Sequence, residues 1–121
     1  PTLSQRAALA CFEPRTLEIL EARRDEFRAR RDLLVPALRS LGFGIPVMPT
    51  GGFFVYADTS AFSPDSRAFC REVLERAGVA ITPGIDFGAH RADGHVRFAY
   101  TIARGKIEDG IARLARFLGR S

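Results

Sequence analysis

The chain has 121 residues, which suits one domain of the common size of about 100–150 residues. Its apolar fraction of 46% is ordinary for a globular chain, and no run of about 18 apolar residues is present to form a membrane span. The formal net charge is +4, but arginines alternate with acids, as in Glu21-Ala22-Arg23-Arg24-Asp25-Glu26-Phe27-Arg28; that pattern marks a solvated, salt-bridged face rather than a stripe that tracks phosphates.

In chain order, residues 2–12 read as the end of a helix, rich in good formers such as Gln5, Ala7, Ala8 and Leu9. Glu13-Pro14 breaks and restarts the chain, because proline suits a first helical turn. A long helix follows over 14–41, with Leu17, Leu20, Phe27, Leu34, Leu38 and Leu41 on one face. Its first part is expected to reach beyond the compact body. Pro36 predicts a kink, or a carbonyl turned to water, and Gly42 closes the helix.

Ile45–Met48 reads as a short edge strand, limited by Pro46 and Pro49. Gly51-Gly52 leads into Phe53–Asp58, the clearest strand. Ser63-Pro64-Asp65 offers an N-cap, a first-turn proline and an acid suited to the helix dipole. The helix after it carries Phe69, Val73, Leu74 and Ala77 and ends at Gly78. Val79–Thr82 is a second strand, 83–94 a loop, and Val96–Thr101 a third strand. A last helix over 105–118 aligns Ile107, Ile111, Leu114 and Leu118, and Gly119 ends it. The fold class is α+β in two layers: a small, mostly antiparallel sheet of roughly three or four strands packed by helices.

Cys11 and Cys70 stand alone, without a C-x-x-C, and read as reduced core thiols of a cytoplasmic protein. His90 and His95 lack metal-like spacing, so no metal is expected. No basic region followed by an apolar stretch opens the chain. The first residue is Pro1, which points to sequence upstream.

Side chains alternate faces along a strand, so Val96, Phe98 and Tyr100 share one face while Arg97, Ala99 and Thr101 share the other. Arginine is the residue best suited to grip a carboxylate with two parallel hydrogen bonds. From position alone, Arg97 fits either that role or a surface salt bridge. Gly51, Gly52, Gly84 and Gly88 permit turns and close backbone approach.

These features occur in one order. Pro49-Thr50-Gly51-Gly52-Phe53-Phe54 resembles the P-x-G-G-F-[FY] strand entry of class I/II (fold type I) aminotransferases. Phe69, Leu74-Glu75, Ala77-Gly78-Val79-Ala80 and Pro83-Gly84-x-x-Phe87-Gly88 resemble the segment that follows it, and Val96-Arg97-Phe98-Ala99-Tyr100 their [VI]-R-[LIF]-[SA]-[FY] strand. Arg23-Arg24-Asp25 and Arg30–Leu34 are similar to the preceding helix, and Ser4–Leu9 to the last helix of the large domain.

The resemblance covers essentially the whole chain and implies a C-terminal small domain over 1–121. Residues 1–12 would be the tail of the large domain's last helix and 13–41 the linking helix. It implies a parent enzyme that moves an amino group between an amino acid and a 2-oxo acid, using pyridoxal 5′-phosphate (PLP) as electron sink. Arg97 would hold the α-carboxylate, and Gly51, Gly52, Gly84 and Gly88 would shape the face that closes over the cofactor. A homodimer is implied, with the chain's own large domain as partner and no nucleic acid or membrane.

The family's PLP lysine is not seen. Lys106 is the only lysine, beside Glu108 and Asp109, and it matches no lysine motif. No catalytic residue is therefore expected here, and the chain alone is expected to bind no PLP and to be inactive. The competing readings are a non-catalytic domain that binds an amino acid, and a basic nucleic-acid-binding module, which lacks any helix-turn-helix, RNP or zinc motif.

Overall fold

A computed structural model of the chain describes residues 1–120. Ser121, the last residue of the expected domain, lies outside the described residues. The elements run α1 (Thr2–Ala10), α2 (Pro14–Ser40), β1 (Phe54–Asp58), α3 (Ser66–Ala77), β2 (Thr82–Pro83), β3 (His95–Ala99) and α4 (Arg104–Phe117). Two single 3-10 turns, Gly84–Asp86 and Ala92–Gly94, lie between β2 and β3.

The long helix divides into two parts. Leu34, Val35 and Leu38 are buried, whereas Leu17, Ile19 and Leu20 remain exposed, and α1 buries nothing. The stripe is therefore buried toward its C-terminal end, with Phe27 in mid-helix partly covered by Tyr100. Pro36 does not break α2, because its ring is exposed and so is Asp32, whose carbonyl it leaves without a donor. At the C-terminus Gly42 turns to φ +96°, and the Phe43 N–H donates back to the Leu38 carbonyl at 3.1 Å. That reversal drops Phe43 into an aromatic cluster with Phe62, Phe69 and Phe98, at ring separations of 4.8, 6.3 and 5.2 Å.

The sheet has the order β1-β3-β2 and is wholly antiparallel. Val55, Ala57, Val96 and Phe98 point to the buried face, with Tyr100 just beyond β3, and helices α2, α3 and α4 cover that side. The other face carries Phe54, Tyr56, His95, Arg97 and Ala99. The two-layer α+β expectation holds, with three strands.

Several local expectations give way. Ile45–Met48 forms no strand; only Gly44 bridges to Asp58. Arg39 takes the Ile45 carbonyl through two hydrogen bonds of 2.7 and 3.0 Å, and Pro46 and Pro49 have no N–H to pair. The second strand shrinks to Thr82–Pro83, because the Gly78 helix cap draws the Val79 N–H back to the Val73 carbonyl at 3.5 Å. Helix α3 is capped by Asp65, whose carboxylate accepts from the Ala68 N–H at 2.9 Å; Ser63 instead bonds the Asp65 backbone. Leu74 faces solvent, and of the two expected core thiols only Cys70 is buried while Cys11 is exposed. Burial and the nearby Asp86 charge push the Cys70 thiol up to about 11, so it is inert.

The mixed charges pair as their spacing suggests. Arg28–Asp25, Arg104–Glu108 and Arg113–Asp109 lie at 3.3, 3.1 and 3.0 Å, and Arg24–Glu21, Arg30–Glu26 and Arg76–Glu72 are also paired. Among the described residues, no helix is long and apolar enough to cross a membrane.

Candidate functional site

Arg97 occupies the centre of the middle strand. Tyr56 of β1 is its register partner on one side and Thr82 of β2 on the other. Its guanidinium lies over the Phe87 ring at 4.7 Å and the Phe54 ring at 5.7 Å. Nη2 donates to the Thr82 hydroxyl at 3.4 Å. Nε is buried and has no acceptor. None of the ion pairs among the described residues includes Arg97. A buried donor left unpaired costs about 1–3 kcal/mol, and more when charged, so this arrangement calls for an acceptor.

The guanidinium borders a cavity of about 410 Å³ together with Phe54, Tyr56, Phe87, Gly88 and His90. The Tyr56 ring stacks on His95 at 4.9 Å and 10°, and His95 Nδ1 lies 2.8 Å from the Arg91 carbonyl oxygen. Partial burial pushes the Tyr56 phenol above its ordinary range. At the end of β1, hydrogen bonds from Ser60 hold the Asp58 carboxyl below its ordinary value, helped by the His95 and Arg91 charges. Arg91 itself reaches Asp58 at 3.8 Å.

The loop that carries Phe87 is held from below. A side chain at Gly84 would come within 2.7 Å of the His95 carbonyl oxygen, and closer still to the Tyr56 hydroxyl and the Ala92 carbonyl oxygen. Buried Thr59 and Ser66 donate to the Gly94 and Ala92 carbonyls at 3.1 and 3.2 Å, which ties the second 3-10 turn to the core. Sequence reasoning missed both hydroxyls, since an isolated serine or threonine carries no signal of burial.

The expected site residues therefore separate. Gly88 lines the Arg97 cavity and Gly84 packs beneath it. Gly51 and Gly52 border a different cavity of about 470 Å³, with Phe27, Arg31 and Tyr100, where the Tyr100 hydroxyl donates to the Gly52 carbonyl at 3.2 Å. Gly52 has φ +77° and makes the turn that feeds β1. Lys106 is exposed in the first turn of α4 and borders a third cavity of about 390 Å³ between α2, α4 and residues 78–81. Phe54, Tyr56, Thr82 and Phe87 join Arg97 through the strand register and the turn after β2, neither of which the sequence pattern specifies.

The sequence pattern described as aminotransferase class I and II matches residues 1–114. The chain belongs to this aminotransferase family. Valine–pyruvate aminotransferase of Mycobacterium tuberculosis is 38% identical over 118 residues, covering 98% of this chain and 30% of that protein. Aspartate/prephenate aminotransferase of Thermus thermophilus is 38% identical over 122 residues, covering 99% of this chain and 30% of that protein. The crystal structure of an aminotransferase from M. tuberculosis superposes with a TM-score of 0.91 at 39% identity, over 98% of this chain and 31% of that one. The chain thus spans about 30% of the length of these aminotransferases.

Proposed function

We propose that this chain is the C-terminal small domain of a PLP-dependent aminotransferase and that Arg97 holds the α-carboxylate of its amino acid and 2-oxo acid substrates. The observation that carries the reading is the unneutralised guanidinium: Arg97 has a buried Nε without an acceptor, no acidic partner among the described residues, and a cavity in front of it. A carboxylate offers two acceptor oxygens and the missing charge in one planar group. Valine, pyruvate, aspartate and prephenate, which name the two curated relatives, are all carboxylic acids.

The residues present do not make a PLP site. PLP supplies the electron sink for amino-group transfer, and in this family it is anchored by a lysine. Lys106 and Arg97 border different cavities, so the only lysine does not stand beside the carboxylate-binding group. The rest of the parent protein, and a second subunit of a homodimer, are assigned the cofactor and the chemistry; this chain by itself is assigned neither. The exposed Leu3 and Leu9 on α1, Phe12 in the turn after it, and Leu17 and Leu20 on the first half of α2 are assigned to contact with the rest of the large domain.

The test is Arg97→Ala in the full-length enzyme. The loss of a charged hydrogen-bonding partner for the carboxylate, worth about 1.5–3 kcal/mol, raises KM for the amino acid roughly 10- to 150-fold. Unchanged steady-state kinetics would overturn the assignment.

A further inference from the structure

We propose that Phe87 is a positioning residue for Arg97: its ring holds the guanidinium by its face and leaves the hydrogen-bonding edge free for the ligand. This rests on the carboxylate reading of Arg97.

Phe87 follows the 3-10 turn Gly84–Asp86, and its N–H closes that turn on the Gly84 carbonyl at 2.9 Å. Its side chain is 51% exposed in this chain, so packing within this domain does not account for a phenylalanine there. Among the described aromatic and cationic contacts, its only partner is Arg97, at 4.7 Å from the ring centroid. Several other arginines are held by acids, as Arg113 is by Asp109 at 3.0 Å, or by carbonyls, as Arg39 is by Ile45. Arg97 has neither. Its single hydrogen bond, to Thr82, is long at 3.4 Å.

The difference has a chemical consequence. A carboxylate neighbour would fix the guanidinium but would also neutralise it and occupy the donors that a ligand needs. An aromatic face stabilises the cation through its quadrupole, offers no hydrogen-bond acceptor in the guanidinium plane, and excludes water from one side. Phe54, at 5.7 Å, adds a weaker contact of the same kind. The backbone seat of Phe87 is itself constrained, because Gly84 lies against the Tyr56 hydroxyl and two carbonyls and so fixes where the turn begins.

The experiment uses the full-length enzyme and measures calorimetric binding of pyruvate and of its uncharged amide, pyruvamide. Wild type, Phe87→Leu, Phe87→Tyr, Arg97→Leu and the Phe87→Leu/Arg97→Leu double variant are compared. Phe87→Leu keeps apolar bulk but removes the π face; it is expected to weaken pyruvate about 3- to 30-fold and to leave pyruvamide unchanged. Phe87→Tyr retains the ring and restores wild-type pyruvate affinity. In the Arg97→Leu background, Phe87→Leu has no further effect. Phe87→Leu with wild-type pyruvate affinity, or with equal losses for both ligands, overturns the positioning role while Arg97→Leu still abolishes the preference for pyruvate. If wild type shows no preference for pyruvate over pyruvamide, or Arg97→Leu leaves that preference intact, the carboxylate reading itself fails and the positioning role with it.

Discussion

Gly84 is the residue at which absence of a side chain matters most. Three fixed groups, the Tyr56 hydroxyl and the carbonyls of Ala92 and His95, crowd the place where a Cβ would stand. Two of the three are backbone and have no rotamer to escape into. Gly84→Ala is therefore expected to destabilise the fold by about 1–3 kcal/mol, the usual cost of overpacking a tight site, read as a lower midpoint in urea unfolding. Gly51→Ala is the control, since nothing lies within 4 Å of its added methyl; its shift should stay within about 0.5 kcal/mol. Both glycines look alike in the sequence, as turn residues before or after a strand. What separates them is a contact between segments 28 residues apart, Tyr56 and Gly84, which no local pattern encodes. Arg97 was legible to a point: strand alternation put it opposite Val96 and Phe98, and the structure keeps that arrangement. Its lack of an acidic partner was not legible, because an arginine in a chain with fourteen acids finds or misses one only through the fold.

At the scale of elements, periodicity located the helices well and the strands less well. A helix closes its hydrogen bonds within itself, so α2, α3 and α4 follow from local spacing and their caps. A strand depends on a partner. Ile45–Met48 and Val79–Ile81 have strand-like composition, yet an arginine in one case and a helix cap in the other take the backbone groups that pairing would need. Apolar spacing also overstated the core, because Leu17 and Leu20 fit the stripe of α2 but stay exposed. The two halves of α2 should therefore differ in protection. Amides of α1 and of the first half of α2 are expected to exchange with deuterium much faster than those near Leu34 and Leu38, which sit against β3 and α4. Native-state hydrogen exchange on the isolated chain checks this; equal protection along α2 would contradict it.

For the whole molecule, the proposed reading makes the chain one wall of a reaction centre rather than a complete one. The proposed carboxylate grip is present, while the single lysine borders another cavity. Purified chain mixed with PLP, an amino acid and a 2-oxo acid is accordingly expected to give no amino-group transfer by a coupled assay; clear turnover would refute that division of labour. The basic pI of about 9.8 is offset locally on α2, α3 and α4, where six arginines pair with acids on the same helix.

The placement of two side chains on opposite faces of the sheet has a practical consequence. The chain has no tryptophan and two tyrosines, Tyr56 and Tyr100. Tyr100 is 1% exposed beneath the helices, and Tyr56 lines the Arg97 cavity. Ultraviolet emission from this chain by itself thus comes from two lamps, one inside the core and one at the site, and replacing either by phenylalanine leaves a probe that watches the other alone.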